Sequence, residues 1–179
     1  LLKFSKLVKK MPDIILASKS KVRLHILNKN NVVCSAKPSN IDENEIKVAM
    51  LRDGASPKDI SKNLAEIKAN KVSQNNLDKI VIGADSVIDL ENEIISKPKN
   101  RSEALEILKK LNEKTHYLIS SVCISKNGFM IWNYTDKATL KMKSFTDEEL
   151  NVYLSKISDA TLYAYNVYQI EGEGRSLFA

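Results

Sequence analysis

The segment after the first apolar run places positive charge where a helix normally avoids it. It carries Lys19, Lys21 and Arg23, together with the hydroxyls of Ser18 and Ser20. A helix N-terminus bears about half a positive charge, so cations there cost a few tenths of a kcal/mol each. The segment is therefore either a solvated basic turn or an anion site, in which backbone N–H groups, hydroxyls and cations surround a phosphate.

Lys68 lies on the apolar side of a predicted helix. Ser56, Pro57 and Asp59 form a capping box at the start of this helix, which is predicted to end near Ser73. Its apolar positions are Ile60, Leu64, Ile67 and Val72. At about 100° per residue, Lys68 falls in the middle of that arc. Because lysine is rarely buried without a partner, this side chain either reaches the surface from the rim or faces a cleft that holds a negative ligand.

Asp85 interrupts an otherwise apolar strand and follows two small residues, Gly83 and Ala84. An isolated buried carboxylate is costly, so Asp85 must be neutralised or hydrogen-bonded. A structural role in a turn is one reading, and metal ligation or general-base catalysis is the other. Two weaker candidates are Lys97, which Pro98 holds at a strand end, and Glu43, in an acidic segment.

The histidines, cysteines and the tryptophan have structural interpretations. His25 is expected to pack on the apolar side of the first helix, and His116 lacks the neighbours of a zinc site. Cys34 and Cys123 are far apart in apolar runs, which favours reduced core residues and a cytoplasmic protein. Trp132 and most tyrosines are expected to pack in strands.

Helices and hairpins alternate along the chain, which predicts an α/β fold with a mixed twisted sheet and flanking helices. The predicted strands are 13–17, 32–36, 80–90, 93–97, 117–125 and 129–134, and Asn127-Gly128 marks a hairpin. The predicted helices run to about Asn28, from Ser56, from Asn100 and from Thr146 to Leu154. Residues 41–45 are expected to be an acidic loop, and the tail from Tyr163 to Ala179 strand and loop.

Composition limits the classes of partner. A net charge of +6 invites a nucleic-acid function, but the lysines are scattered and few aromatics lie among them, so no stable nucleic-acid complex is expected. No apolar run has the length of a membrane span. Residues 1–10 read as a basic extension, and the folded domain is expected to cover residues 11–179.

In chain order, the unusual residues form six short motifs: Leu16-Ala17-Ser18-Lys19-Ser20-Lys21-Val22-Arg23, Ile41-Asp42-Glu43, Leu64-Ala65-Glu66-Ile67-Lys68-Ala69, Gly83-Ala84-Asp85-Ser86, Ser96-Lys97-Pro98 and Thr115-His116. Their succession resembles the Maf family, whose signatures are LAS-x-S-P-R-R, I-D-E, L-A-x-x-K-A, G-A-D-T, K-P and T-H. Each motif is weak alone, but six in register across most of the chain are specific.

The resemblance implies two lobes around a central cleft, akin to inosine triphosphatases, and hydrolysis of ordinary or modified nucleoside triphosphates to monophosphate and pyrophosphate. It implies roles in cleaning the nucleotide pool and in division arrest, and a homodimer. Asp85 would be catalytic, and Glu43 with Asp85 would hold a divalent cation, Mg²⁺ or Mn²⁺. Ser18, Ser20, Arg23, Lys68 and Lys97 would bind the triphosphate.

Departures from the family pattern leave questions open. Val22 replaces the first arginine of S-P-R-R, and Val22, Ser86 and Gln169 match positions that influence which base is accepted. The usual close, I-E-G-D-Y-x-x-V-x-G-L-P, is absent before Ala179, so we expect a domain shortened at its C-terminus. Two alternatives to an active enzyme therefore stay open: a catalytically impaired Maf-like protein, and a cell-division regulator without enzymatic activity.

Overall fold

A computed structural model describes residues 13–179, without the side chains of residues 164 and 165, as helices around one sheet. The strands are β1 (Ile14–Leu16), β2 (Cys34–Ala36), β3 (Ile80–Leu90), β4 (Glu93–Ile95), β5 (Thr115–Lys126) and β6 (Phe129–Lys141). The helices are α1 (Lys21–Lys29), α2 (Glu43–Arg52), α3 (Pro57–Gln74), α4 (Arg101–Leu111), α5 (Asp147–Lys156) and α6 (Asp159–Tyr165), followed by a 3₁₀ helix, Glu173–Leu177. The predicted extension at residues 1–10 lies outside the described residues.

The sheet is mixed, as the sequence predicted. Its strand order is β2-β1-β3-β5-β6, and β4 pairs with β3 off this path. β1 is parallel to both β2 and β3, whereas β3, β5 and β6 form an antiparallel meander. α3 packs across β3 and β5. No helix in the described part of the chain is long and apolar enough to cross a membrane.

The sheet has an opening beside β3. β1 pairs with residues 80–82 of β3, and β4 pairs with residues 88–90. Since β5 pairs along the other side of β3, β1 and β4 lie on the same side. Among the described strands, none pairs with residues 83–87 on that side. We call this opening the sheet gap, and Asp85 lies at its centre.

The chain packs into two lobes that meet at this gap. One lobe surrounds α3, where Ala65, Ala69 and Leu64 pack against β3 and β5. The other contains Ile95 of β4 with the buried faces of α4, α5 and α6 and the C-terminal Leu177. β1 contributes Ile15 to the first lobe, whereas β4 contributes Ile95 to the second and packs Ile94 against the α3 cluster. The sheet gap therefore lies at the boundary between the lobes. This arrangement agrees with the two-lobed expectation.

Gly83 sets how closely α3 approaches the sheet. A Cβ at this position would lie only 2.1 Å from the carbonyl oxygen of Ala65 and 2.8 Å from Cβ of Ala69. Both alanines are fully buried. Small residues on both sides therefore bring the helix against the strand, and Lys68, between the two alanines, comes within reach of the strand's polar side chains.

Three elements differ from the prediction. Residues 41–45 are not an acidic loop: the Asp42 side chain accepts from the backbone N–H groups of Asn44 and Glu45, and α2 begins at Glu43. Aspartate at the N-cap followed by glutamate is a favourable helix start, which the loop reading overlooked. β6 continues to Lys141, beyond the predicted end at Tyr134. The tail is helical at α6 and at the 3₁₀ helix, and pairs with the sheet only through a bridge from Met142 to Phe178 among the described residues.

The structure confirms some of the structural roles predicted for single residues and contradicts others. His116 is fully buried, and its Nε2 lies 2.9 Å from the hydroxyl of Tyr168, as a packing histidine would. His25 is exposed, so the prediction that it packs is wrong. Trp132 is 49% exposed and stacks on Tyr134, because it lies on the face of the sheet opposite α3. Of the two free cysteines, Cys123 is buried as predicted and Cys34 only partly.

Candidate active site

Lys68 joins two carboxylates at the sheet gap. Its Nζ lies 2.7 Å from Oδ1 of Asp85 and 2.9 Å from Oε1 of Glu43. The lysine comes from α3, the aspartate from β3 and the glutamate from the first turn of α2. Three elements thus converge on one ammonium group.

The ion pair between Lys68 and Asp85 is buried. Lys68 and Asp85 are only 5% and 4% exposed, so each charge needs the other as its partner. Only one carboxylate oxygen of Asp85 is used: Oδ2 is buried and has no hydrogen-bond partner. A buried acceptor without a partner requires an explanation, and a bound water, ion or substrate supplies one.

Glu43 is held in its ionised form. Burial alone would raise the pKa of this carboxyl. The charge and hydrogen bond of Lys68 outweigh that effect, with smaller contributions from Lys47 and Lys97, so the pKa of Glu43 lies below its usual value. At neutral pH, Glu43 is therefore a carboxylate beside a cationic cleft.

Arg23 binds the open edge of β3. Its Nη1 donates to the carbonyl oxygen of Ala84 at 2.8 Å. Because this carbonyl lies at the sheet gap, none of the described strands pairs with it there. Longer contacts of 3.4 Å join Nη1 to Oγ of Ser18 and Nη2 to Oγ of Ser86. Burial lowers the pKa of Arg23, and the nearby charges of Asp85 and Glu43 oppose that shift. The guanidinium thus interacts electrostatically with both carboxylates.

Ser18 and Ser20 shape the turn that leads into α1. Ser20 is the N-cap residue, and its Oγ accepts from the backbone N–H of Arg23 at 3.3 Å. The backbone N–H of Ser20 in turn donates to Oγ of Ser18, which is 8% exposed. The first turn of α1 contains no acidic residue. These bonds fix the first turn of α1, from which the Arg23 side chain extends to β3.

Lys97 lies on the second lobe, just beyond β4. Its side chain is exposed and forms no ion pair with any residue in 13–179. Partial desolvation of the ammonium lowers the pKa of Lys97, and the positive charges of Lys47, Arg23 and Lys68 lower it further. The negative charge of Glu43 opposes this shift. Lys97 therefore belongs to the same electrostatic cluster, but it forms no direct ion pair with the residues that the structure describes.

The site thus combines three cations, Arg23, Lys68 and Lys97, with two carboxylates, Glu43 and Asp85. Among the described residues, Lys68 is the one of these cations that forms an ion pair, whereas Arg23 and Lys97 have none. A cleft with more positive than negative groups suits a small polyanion such as a phosphate chain. The free oxygen of Asp85 adds an acceptor for a proton.

The family model described as "Maf-like protein" matches residues 13–179. The chain belongs to the Maf-like family.

Two relatives and one solved structure show how far the similarity extends. A nucleoside triphosphate pyrophosphatase of Pelagibacter ubique is 65% identical over 167 residues, which cover 93% of this chain and 86% of that protein. A 7-methyl-GTP pyrophosphatase of Brucella abortus is 33% identical, over 92% of this chain and 83% of that protein. The solved structure of a HAM1 protein from Coxiella burnetii aligns with a TM-score of 0.49 at 15% identity, covering 74% of this chain and 73% of that one.

The three residues assigned to base selection are not all in one place. Val22 is half-buried on α1, directly before Arg23. Ser86 is exposed at the gap and contacts Arg23. Gln169 lies in the second lobe, lining an open cavity of about 320 Å³ with Asn166 and Gly172. Among the described hydrogen bonds, none joins the Gln169 side chain to Glu43, Lys68 or Asp85.

Two residues near the site were not anticipated. Ser61 is fully buried on α3, two turns before Lys68, and its Oγ donates to the carbonyl oxygen of Asp85 at 3.2 Å. Ser61 is a polar residue on the apolar face of a helix, and this pattern is visible in the sequence. Lys47 stands four residues after Glu43 on α2, on the same helix face. That spacing has meaning only once residues 43–52 are recognised as a helix.

Proposed function

We propose that this chain is a nucleoside triphosphate pyrophosphatase, which hydrolyses ordinary or modified nucleotides to a monophosphate and pyrophosphate. The observation that carries the proposal is the Lys68 ammonium held between Glu43 and Asp85 at the sheet gap, with Oδ2 of Asp85 left without a partner. The pyrophosphatase names of two relatives support the same chemistry.

The cations bind the triphosphate in this proposal. Arg23 enters from the first lobe and Lys97 from the second, so a phosphate chain in the gap meets positive charge from both sides. Lys68 offers a third charge from the floor of the gap, while the hydroxyls of Ser18 and Ser20 add hydrogen-bonding groups at the start of α1. These contacts place the α-phosphorus near Asp85 and stabilise the charge that grows on the departing pyrophosphate.

Asp85 acts as the general base. Its Oδ1 is fixed by Lys68, whereas Oδ2 is free to accept a proton from a water molecule. The water oxygen forms a bond to the α-phosphorus, the bond from that phosphorus to the bridging oxygen breaks, and the water proton passes to Asp85. The hydrogen bond from Ser61 to the Asp85 carbonyl oxygen holds the strand in place during this step.

The donor set also fits a divalent cation. The described residues contain no cluster of three or more metal-binding side chains. Magnesium, however, is usually held by one or two carboxylates together with substrate phosphates, and Glu43 and Asp85 provide those two. Such an ion, Mg²⁺ or Mn²⁺, would neutralise phosphate charge and acidify a water molecule when bound.

The place of action is part of the proposal. Cys34 and Cys123 are both free thiols, which is compatible with the reducing cytoplasm. A nucleoside triphosphate is the proposed partner, and the homodimer implied by the sequence resemblance is carried forward with it.

The test is a panel of ordinary and modified nucleoside triphosphates, incubated with Mg²⁺ or Mn²⁺ and assayed for pyrophosphate. We expect release of pyrophosphate, and its loss in Asp85→Asn. Asp89→Asn is the matched control, since Asp89 lies on the same strand, is 9% exposed and only accepts a turn hydrogen bond from Asn92. Release of single phosphates instead, or full turnover by Asp85→Asn, would overturn the proposal.

A further inference from the structure

Two serine hydroxyls lie side by side on the face of the sheet opposite α3. Ser86 of β3 and Ser120 of β5 are directly paired in register, and their Oγ atoms are 2.9 Å apart. Side chains alternate across a strand, so Ser120 faces away from its neighbour Ser121, which bonds Thr135. Ser120 is therefore a neighbour of the site, although nothing in the sequence motifs singles it out.

Ser86 links this pair to Arg23. The guanidinium is anchored at one point by the 2.8 Å bond from Nη1 to the Ala84 carbonyl oxygen. Its other contact on β3 is the 3.4 Å approach of Nη2 to Oγ of Ser86. Besides the short anchor, Nη1 also contacts Oγ of Ser18 at 3.4 Å, so Ser86 is the group on β3 that orients Nη2. Among the described contacts, Ser120 is the residue that holds it.

The two serine hydroxyls together can offer one hydrogen-bond donor to a ligand. The oxygen of Ser86 accepts from Arg23, and one hydroxyl hydrogen serves the contact between the two serines. The second hydroxyl hydrogen has no acceptor among the described residues. The pair therefore presents one donor next to Arg23, at the exposed Ser86 on the sheet face opposite Asp85.

We propose that Ser120 is a positioning residue that fixes Ser86 and Arg23 and thereby sets how strongly the nucleoside end of the substrate is discriminated. The inference rests on the proposed function, because it assumes a nucleotide in the sheet gap. The phosphate chain occupies the charged side near Lys68 and Lys97. The hydroxyl pair contacts Arg23 from the sheet face opposite Asp85, and suits the polar groups of a sugar or base.

Binding of nonhydrolysable substrates tests this inference separately from catalysis. Affinities of α,β-methylene analogues of the ribonucleoside triphosphates would be measured by calorimetry for the wild type, Ser120→Ala, Ser86→Ala and the double variant. Losing one neutral hydrogen bond is expected to weaken binding about three- to tenfold. The loss should differ between bases, and the double variant should bind no worse than Ser86→Ala alone, since Ser120 acts through Ser86.

Controls separate positioning from general damage. Ser120→Thr retains the hydroxyl and should keep most of the wild-type affinity, whereas Ser120→Cys, of similar size, should behave like Ser120→Ala. Ser155→Ala makes the same chemical change at an exposed position of α5 and should leave affinity unchanged. In steady-state assays the effect should appear in KM rather than in kcat.

The outcomes distinguish the two proposals. A wild-type chain that binds the analogues but releases no pyrophosphate from substrates removes the proposed function and leaves the affinities to judge Ser120. Equal affinities of wild type and Ser120→Ala for every base overturn the role of Ser120. So does an additive loss in the double variant, because additivity means that Ser120 does not act through Ser86.

Discussion

The Lys68 ammonium touches Asp85 at 2.7 Å because Gly83, two residues before that aspartate on the same strand face, has no side chain. α3 can therefore rest directly on β3, with the backbone of Ala65 where a Cβ would otherwise lie. The ion pair and the glycine are parts of one contact between helix and strand.

Gly83→Ala should damage the protein through this contact. The new Cβ would meet the Ala65 carbonyl at 2.1 Å, and a backbone atom cannot yield as a flexible side chain can. We expect a loss of about 1–3 kcal/mol in the free energy of unfolding, with nucleotide hydrolysis falling further because Lys68 is displaced. Urea denaturation and initial rates measure both. Gly172→Ala, whose Cβ would meet Gln169 at 3.6 Å, should be mild, and equal stability of the two variants would contradict the prediction.

Lys68→Met should destabilise the fold as well as the site. Removing one partner of a buried pair leaves Asp85, 4% exposed, without its counter-charge, which costs roughly 3–5 kcal/mol. The free energy of unfolding should recover in part when Asp85→Asn is added. Lys71→Met changes an exposed lysine of the same helix and is the control for the substitution itself. A Lys68→Met protein as stable as this control would mean that Asp85 does not need the lysine.

His116 should make stability depend on pH. Burial lowers the pKa of this fully buried histidine, so the folded protein resists protonation. Below the unfolded value of about 6.5, the unfolded chain binds a proton that the folded chain does not, and stability falls as pH decreases. Thermal melts at pH 7.5 and 5.0 should therefore differ less for His116→Gln than for the wild type. His25→Gln, on an exposed surface, should keep the wild-type difference.

Lys97→Ala should weaken substrate binding without unfolding the protein. Lys97 is exposed and unpaired within the described chain, so its removal strands no partner. A charge-assisted bond to phosphate is worth about 1.5–3 kcal/mol, which corresponds to a rise in KM of roughly ten- to a hundredfold. Lys99→Ala, two residues away and also exposed, is the matched control. If both variants shift KM equally, Lys97 acts only through general surface charge.

The features that the sequence predicted well are those in which local chemistry fixes local structure. The capping boxes at Ser56 and Thr146 both form, and both residues of Asn127-Gly128 adopt the positive φ of a tight hairpin. Lys68 was found because a charge in an apolar helical arc violates a rule that depends only on periodicity. The helix at Glu43 was missed because an acidic N-cap and an acidic loop contain the same residues.

The remaining features depend on tertiary contacts. Ser120 becomes a neighbour of Ser86 only through strand register, which a single sequence does not encode locally. The hydrogen bonds of Arg23 exist because β1 ends at Leu16 and leaves the Ala84 carbonyl uncovered, and strand length is set by packing. Trp132 lies outside because α3 covers only one face of the sheet.

The ammonium of Lys68 has a consequence for how the protein matures. Two carboxylates brought together during folding would repel each other and require an external ion, as in domains that assemble around calcium or zinc. Here the chain carries its own counter-ion to that point, between Glu43 and Asp85. We therefore expect folding not to require a divalent ion. A newly made chain should then reach its native state even in a cell short of divalent ions.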